Sequence, residues 1–313
     1  MKKTIIKISI LSVLSLFLMV GCKKVAQETN ESYSSTNKMT VVTTTGMIGD
    51  VASEIGKDRV DVYSMMGPGV DPHLYKAKAS DLERLNSADL IVYNGIHLES
   101  KMADVFKKLS DTKNIHSIEE GMDEDSLITI DQAHDPHIWF DVNNWMIASM
   151  VIRDALISTD PEGESVYQAN YESYVAELKD LDMYVKDQVK KIPEDQRILI
   201  TAHDAFNYFG RAYGFEVMGL QGISTVDEAG TLDVRNLAEF ITSNKIKAMF
   251  VESSVSPKSI QAVQAAVESR GWNIEIGGEL YSDAMGDTNT PEGTYIGMVT
   301  HNIDTIVSGL LGQ

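Results

Sequence analysis

GESVYQANYESYVAELKDLDMYVKDQVKKI, residues 163–192, contains no proline, and no glycine after Gly163. Val166, Tyr174, Leu178, Leu181 and Val185 recur in it at the three- and four-residue intervals of one apolar helical stripe. At ~1.5 Å per residue such a helix is roughly 45 Å long, more than a domain of this size needs for its own packing. Pro193 stops it. The stretch predicts one long backbone helix joining two lobes.

Short β-branched runs alternate with helical patterns on both sides of this helix. Before it come strands at Met39–Thr44, Val60–Met65 and Leu90–Tyr93, interleaved with helices at Met47–Ile55, Ala77–Leu85 and Glu99–Leu109. A short apolar strand follows His137, and Val142–Ile157 is helical. Ser117–His134, with Glu119, Glu120, Asp123, Glu124, Asp125 and Asp131, is expected to be a solvated loop. Beyond Pro193 the alternation restarts. Strands are expected at Arg197–Thr201, Glu216–Leu220, Ala248–Val251 and Trp272–Ile276. Helices are expected at Ala205–Tyr213, Asp233–Ser243, Pro257–Glu268 and Thr294–Leu311. This order defines an α/β fold: two lobes of parallel-type sheet flanked by helices, with ligand sites outside the carboxyl ends of the strands.

The tripeptide Asp-Pro-His occurs twice in the first lobe, at Asp71-Pro72-His73 and Asp135-Pro136-His137. Proline fixes its own φ and pushes the preceding residue into extended geometry, so each tripeptide presents an imidazole from a stiff loop. Two rigid imidazoles suit a metal, although a loop histidine more often serves structure. His203 and Asp283 follow the first and last strands of the second lobe, where a cleft between lobes would be lined.

With 313 residues, 43% of them apolar, the chain can bury a large core. Its formal charge of −19 disfavours nucleic acid as a partner. The single cysteine, Cys22, excludes an intramolecular disulfide. It follows Lys2, Lys3 and Lys7 and the apolar run Ile8–Val20, which is too short for a comfortable membrane span. Leu18-Met19-Val20-Gly21-Cys22 resembles the lipobox of bacterial lipoproteins. That resemblance implies a signal peptide at 1–21, cleavage before Cys22 and lipidation of its thiol. Residues 22–38 are polar and aperiodic, and read as a tether. The expected division is then an α/β lobe at 39–162, the linking helix at 163–192 and a second α/β lobe at 193–313.

Four stretches carry a wider resemblance: Met65-Met66-Gly67-Pro68-Gly69-Val70-Asp71-Pro72-His73-Leu74-Tyr75, Asp135-Pro136-His137-Ile138-Trp139-Phe140-Asp141, Thr201-Ala202-His203-Asp204-Ala205-Phe206 and Gly277-Gly278-Glu279-Leu280-Tyr281-Ser282-Asp283-Ala284-Met285-Gly286. The chain closely resembles the TroA-type zinc and manganese solute-binding proteins of ABC importers, the cluster A-I or cluster 9 family, over essentially Met39–Gln313. The resemblance implies His73, His137, His203 and Asp283 as metal ligands. It also implies a monomer outside the cytoplasm, anchored through Cys22, that serves a permease with a separate ATPase. Manganese receptors of the family usually have Glu where this chain has His203. Imidazole suits zinc and carboxylate suits manganese, so zinc is the expected cargo, with manganese second.

His97 matches no ligand position of the family. His134 is a surface neighbour of His137, and His116 and His301 are structural. Asp204 is expected to cap the helix beginning at Ala205, and Asp71 and Asp135 to position their loops. The same residues would also suit a metal-dependent surface adhesin or a zinc hydrolase. The hydrolase would need an open coordination position and a general base, which the motifs do not offer.

Overall fold

The computed structural model describes residues 38–130 and 132–312. Cys22, the leader at 1–21, nearly all of the 22–38 tether and Asp131 therefore lie outside the described residues. The described residues form one compact unit.

In chain order the first half contains β1 (Met39–Thr45), α1 (Gly46–Gly56), β2 (Val60–Met66), α2 (Ala79–Ser87), β3 (Leu90–Tyr93), α3 (Ala103–Leu109) and β4 (Ile115–Ser117). The two-residue strands β5 (Thr129–Ile130) and β6 (Ala133–His134) and helix α4 (Val142–Thr159) complete it. The four longer strands form a parallel sheet in the order β2-β1-β3-β4. Both faces of this sheet are covered. Val41 and Val92 point into the core under α1 and α4, while Val42 and Ile91 point the other way, toward Leu85 of α2 and Phe106 of α3. Period-two alternation between two apolar faces is what a buried parallel strand requires.

The second half follows helix α5 (Glu164–Val189) and runs β7 (Ile198–His203), α6 (Asn207–Tyr213), β8 (Glu216–Gln221), α7 (Thr231–Asn244), β9 (Ala248–Glu252), α8 (Lys258–Glu268), β10 (Glu275–Leu280) and α9 (Tyr295–Leu311). β7 pairs with β8 and β9 with β10, both in parallel, and β7 lies beside β9. The fold is thus α/β with parallel sheets, as the alternation predicts.

α5 is the long helix, 26 residues and about 39 Å at ~1.5 Å per residue. Its buried stripe is Tyr167, Tyr174, Leu178, Leu181, Val185 and Val189. Val166 is on the outer face, 41% exposed, so the stripe begins one residue later than the spacing predicts. The helix packs on α1 and α4 from the first half and on α9 from the second. One apolar cluster accordingly runs from Val41 and Ile48 through Tyr174, Leu178 and Val185 to Phe206, Phe250 and Ile303. Truncating Leu178 to alanine would open a cavity costing ~2–5 kcal/mol at this junction.

Three expectations fail locally. Ile138–Phe140 is a 3-10 turn, not a strand. All three side chains are buried, which alternation in a one-face strand would not allow, and Trp139 and Phe140 pack on His137 and Phe206. The last strand is Glu275–Leu280 rather than Trp272–Ile276. Its glycines are a crossing point with α9: a Cβ on Gly277 would lie 2.8 Å from the Phe250 ring and 3.1 Å from Gly309. The stretch Ser117–His134 is not loop throughout, since it holds the β5/β6 hairpin and a 3-10 turn with Ile118 buried.

Candidate metal centre

Each of the four candidate ligands is carried by a loop or strand end. His73 follows a turn closed by a Val70 N–H to Gly67 carbonyl bond, with Gly69 at φ +69°. The His73 N–H donates to Asp71 Oδ1 at 2.8 Å. In the second tripeptide the His137 N–H donates to Asp135 Oδ1 at 2.9 Å in the same way. His203 is the last residue of β7, and its N–H donates to Glu252 Oε1 at 2.9 Å, at the end of β9. Asp283 lies three residues past β10. Asn302 of α9 pins the start of that segment by accepting from the Tyr281 N–H and donating to the Tyr281 carbonyl. Trp139 Nε1 donates to the Ser282 carbonyl at 3.0 Å, which ties the segment to the His137 loop.

These elements bring the four side chains together. His137 and His203 are fully buried, His73 is 3% exposed and Asp283 2%. The Nε2 atoms of His73 and His203 lie 3.3 and 3.4 Å from that of His137. Asp283 Oδ1 is 3.3 Å from His137 Nε2, and its Oδ2 is 3.3 Å from His203 Nε2 and 3.7 Å from His73 Nε2. All four donor atoms fit within 4.8 Å of one another. A tetrahedral cation with bonds of ~2.0–2.1 Å needs ligand atoms about 3.3–3.4 Å apart; four of these separations match, and the fifth, Asp283 Oδ2 to His73 Nε2, is wider at 3.7 Å. Both Asp283 oxygens are buried and meet no hydrogen-bond donor outside the imidazoles of the cage. A buried carboxylate left so is costly unless a cation satisfies it.

The outward ring nitrogens determine which lone pair faces inward. His137 Nδ1–H donates to Asp135 Oδ1 at 2.6 Å, and His203 Nδ1–H donates to Glu252 Oε2 at 2.5 Å. That tautomer leaves Nε2 free to bind, the usual carboxylate–imidazole support of a metal ligand. Burial opposes charge on His137, but Asp135 and Asp283 outweigh it and raise the imidazole to about 9. Burial likewise opposes charge on His203, yet Glu252 and Asp283 hold it well above its ordinary value. Burial pushes His73 down to about 4. For Asp283, burial would raise the carboxyl, but His203, His137 and His73 hold it well below the usual range.

Glu252 is the supporting residue that sequence reading missed. Its signal was a carboxylate at the carboxyl end of the strand beside the one that ends in His203. Asp135 holds both its loop and the imidazole, while Asp71 holds its loop. Asp204 is not a helix cap. α6 begins at Asn207, its N-cap position is Phe206, and Asp204 Oδ1 is buried without a donor. The reason is the tight turn in which Ala205 N–H bonds the His203 carbonyl, which delays the helix by two residues. His97 is exposed at φ +63°, away from the cluster. His134 bonds Thr129 Oγ1, His116 bonds Glu120 and Asn114, and His301 bonds the Glu279 carbonyl.

Three imidazoles and a carboxylate, buried together in an α/β fold of parallel sheets with one long helix, define a metal-binding receptor of the solute-binding type. The chain belongs to the ZnuA family, described as zinc-uptake complex component A, periplasmic, whose model matches residues 41–309. It is 48% identical over 274 residues to the zinc-binding protein TroA of Treponema pallidum, covering 87% of this chain and 89% of that protein. It is 45% identical over 279 residues to the manganese-binding lipoprotein MntA of Bacillus subtilis, covering 88% and 91%. The solved structure of the periplasmic zinc-binding protein TroA from Treponema pallidum superposes with a TM-score of 0.87, covering 88% of this chain and 99% of that one.

Proposed function

We propose that this protein is the extracytoplasmic substrate-binding component of an ABC metal importer. It captures zinc, with manganese as a second cargo, between His73, His137, His203 and Asp283, and hands it to a permease driven by a separate ATPase. Residues 39–162 and 193–313 act as two lobes about the 163–192 helix, which limits them to a small tilt. The chain works as a monomer held to the membrane through lipidated Cys22.

One observation carries this reading: a buried carboxylate that meets no hydrogen-bond donor outside the cage faces three converging Nε2 atoms at 3.3–3.7 Å. Asp283 takes the fourth direction, so no position remains for an activated water, which favours capture over hydrolysis. The relatives' names, which include zinc-binding and manganese-binding proteins, support the choice of cargo. Three nitrogens to one carboxylate favour zinc of the two.

Competitive titration of chelator-stripped protein tests the reading. One zinc per chain should bind, more tightly than manganese, and His137→Ala should remain folded while losing metal. Zinc binding that survives alanine at all four positions would refute the site. A His137→Ala chain that fails to fold would favour a purely structural metal.

A further inference from the structure

The His73 loop is held differently from the other ligands. Among the described residues, no carboxylate meets the His73 Nδ1, whereas His137 and His203 each have one at 2.6 and 2.5 Å. Its segment, 67–78, has one hydrogen bond to the second half of the chain among the described residues: Thr225 Oγ1 donates to Asp71 Oδ2 at 2.5 Å. The same carboxylate accepts the His73 N–H on its other oxygen. Asp71 thus couples the backbone of His73 to a loop 154 residues away, between β8 and α7. Thr225 is 7% exposed, and on the far side of the pair lies a cavity of about 500 Å³ lined by Asp71, Leu74, Thr225, Glu228, Val255 and Lys258. Leu74, next to the ligand, is 49% exposed beside it.

We propose that Thr225 is a positioning residue for metal retention: its bond to Asp71 latches the His73 loop in ligating position across the cleft, and breaking that bond releases the metal. The inference rests on the four-ligand site proposed above. When the latch opens, the 70–74 turn moves into the adjacent cavity and His73 leaves first. His137 and His203 stay, because each ring is held by its own buried carboxylate. Small relative movement of the two loops breaks a single hydrogen bond, so release needs no wide opening about α5.

The test is zinc dissociation from full-length protein into excess chelator, followed by stopped flow. Thr225→Val keeps the shape and removes the donor, and should speed release about tenfold, the worth of one buried hydrogen bond to a charged group. Thr225→Ser keeps the donor and should release within about twofold of wild type. A merely structural role is separated by a cycle with His73→Ala: once the ligand is gone, Thr225→Val should change the release rate no further. Wild-type release from Thr225→Val would overturn the proposal. So would an equal acceleration in the His73→Ala background, because the effect would then run through another ligand. Failure of wild-type protein to take up zinc at all would instead remove the site on which the latch depends.

Discussion

Asp71-Pro72-His73 and Asp135-Pro136-His137 share a tripeptide and a backbone device, the aspartate accepting the N–H of the histidine two residues on. Their second contacts differ. Asp135 turns the same oxygen onto the His137 ring, and its Oδ2 accepts from Asn207 while its carbonyl accepts from the Tyr208 hydroxyl. The His137 ring also packs edge-on against Trp139 at 5.2 Å between centroids. Asp71 spends its second oxygen on Thr225 and leaves the His73 ring to its partners in the cage. The repeat sets where an imidazole stands, and the surroundings set how firmly. One loop is a fixed wall of the site and the other is its movable side.

The largest effects should come from the ligands themselves. Structural zinc binds with ~10–16 kcal/mol, so losing one of four ligands should cost about 3–4 kcal/mol, or roughly 10²–10³-fold in affinity. His73→Ala and His137→Ala should both do this. They should part company in the metal-free protein, because His137→Ala leaves Asp135 buried without its ring partner, a loss of ~3 kcal/mol or more. His73→Ala orphans no such group. Thermal unfolding of chelator-stripped variants reads the difference, and equal losses of stability would break the contrast between the loops.

The supporting carboxylates should matter next. Asp135→Asn weakens the orientation of an imidazole and should reduce zinc affinity ~10–100-fold, the usual cost of losing such a partner. Asp71→Asn touches no ring, so its affinity loss should stay under about tenfold, with the change appearing in the dissociation rate. A larger loss in Asp71→Asn than in Asp135→Asn would reverse the assignment.

A smaller shift is expected at His203. Replacing it with glutamate should move relative preference toward manganese, since a harder oxygen ligand takes the place of nitrogen. Glu252 complicates the swap: it lies 2.5 Å from the ring nitrogen it supports, and two carboxylates would face each other there. His203→Glu with Glu252→Gln should show the preference change more cleanly than His203→Glu alone. Metal competition assays would sink this account if the zinc-to-manganese ratio were unchanged in both.

What the sequence made legible follows from the range of the interactions involved. The four proposed ligands stand in short motifs in loops and at strand ends, and the strand–helix alternation and the proline-free 163–192 stretch are local patterns. Glu252 and Thr225 are not legible this way. Glu252 supports His203 from 49 residues away because β7 and β9 lie side by side, and Thr225 meets Asp71 from 154 residues away. Only the folded register creates either contact. Local misreadings had local causes: burial on every side turned Ile138–Phe140 from strand to turn, and close packing on α9 made Gly277 part of a strand instead of its end.

The subtlest consequence of the two settings is a proton. In the metal-free protein His137 is raised to about 9, because Asp135 and Asp283 outweigh its burial, so at pH 7.5 it carries a charge. His73, lowered to about 4 by burial, carries none. A metal needs the Nε2 lone pair, so loading must expel the His137 proton, and the His203 proton likewise, while His73 gives up nothing. Zinc affinity should therefore climb with pH through neutrality as these two protons become easier to expel. The same shift fixes the sign for stability: the contribution of His137 to the metal-free fold is full below its unfolded value of ~6.5 and is lost as pH rises through about 9. Calorimetry in buffers of different ionisation enthalpy counts the protons released. His73→Ala should leave the count at pH 7.5 as in wild type. Asp135→Asn should lower it, because the neutral amide no longer holds charge on the buried ring and the rise in affinity moves to lower pH. An unchanged count in Asp135→Asn would mean that Asp283 alone keeps His137 charged, and that the carboxylate distinguishing the two loops orients its imidazole without setting its protonation.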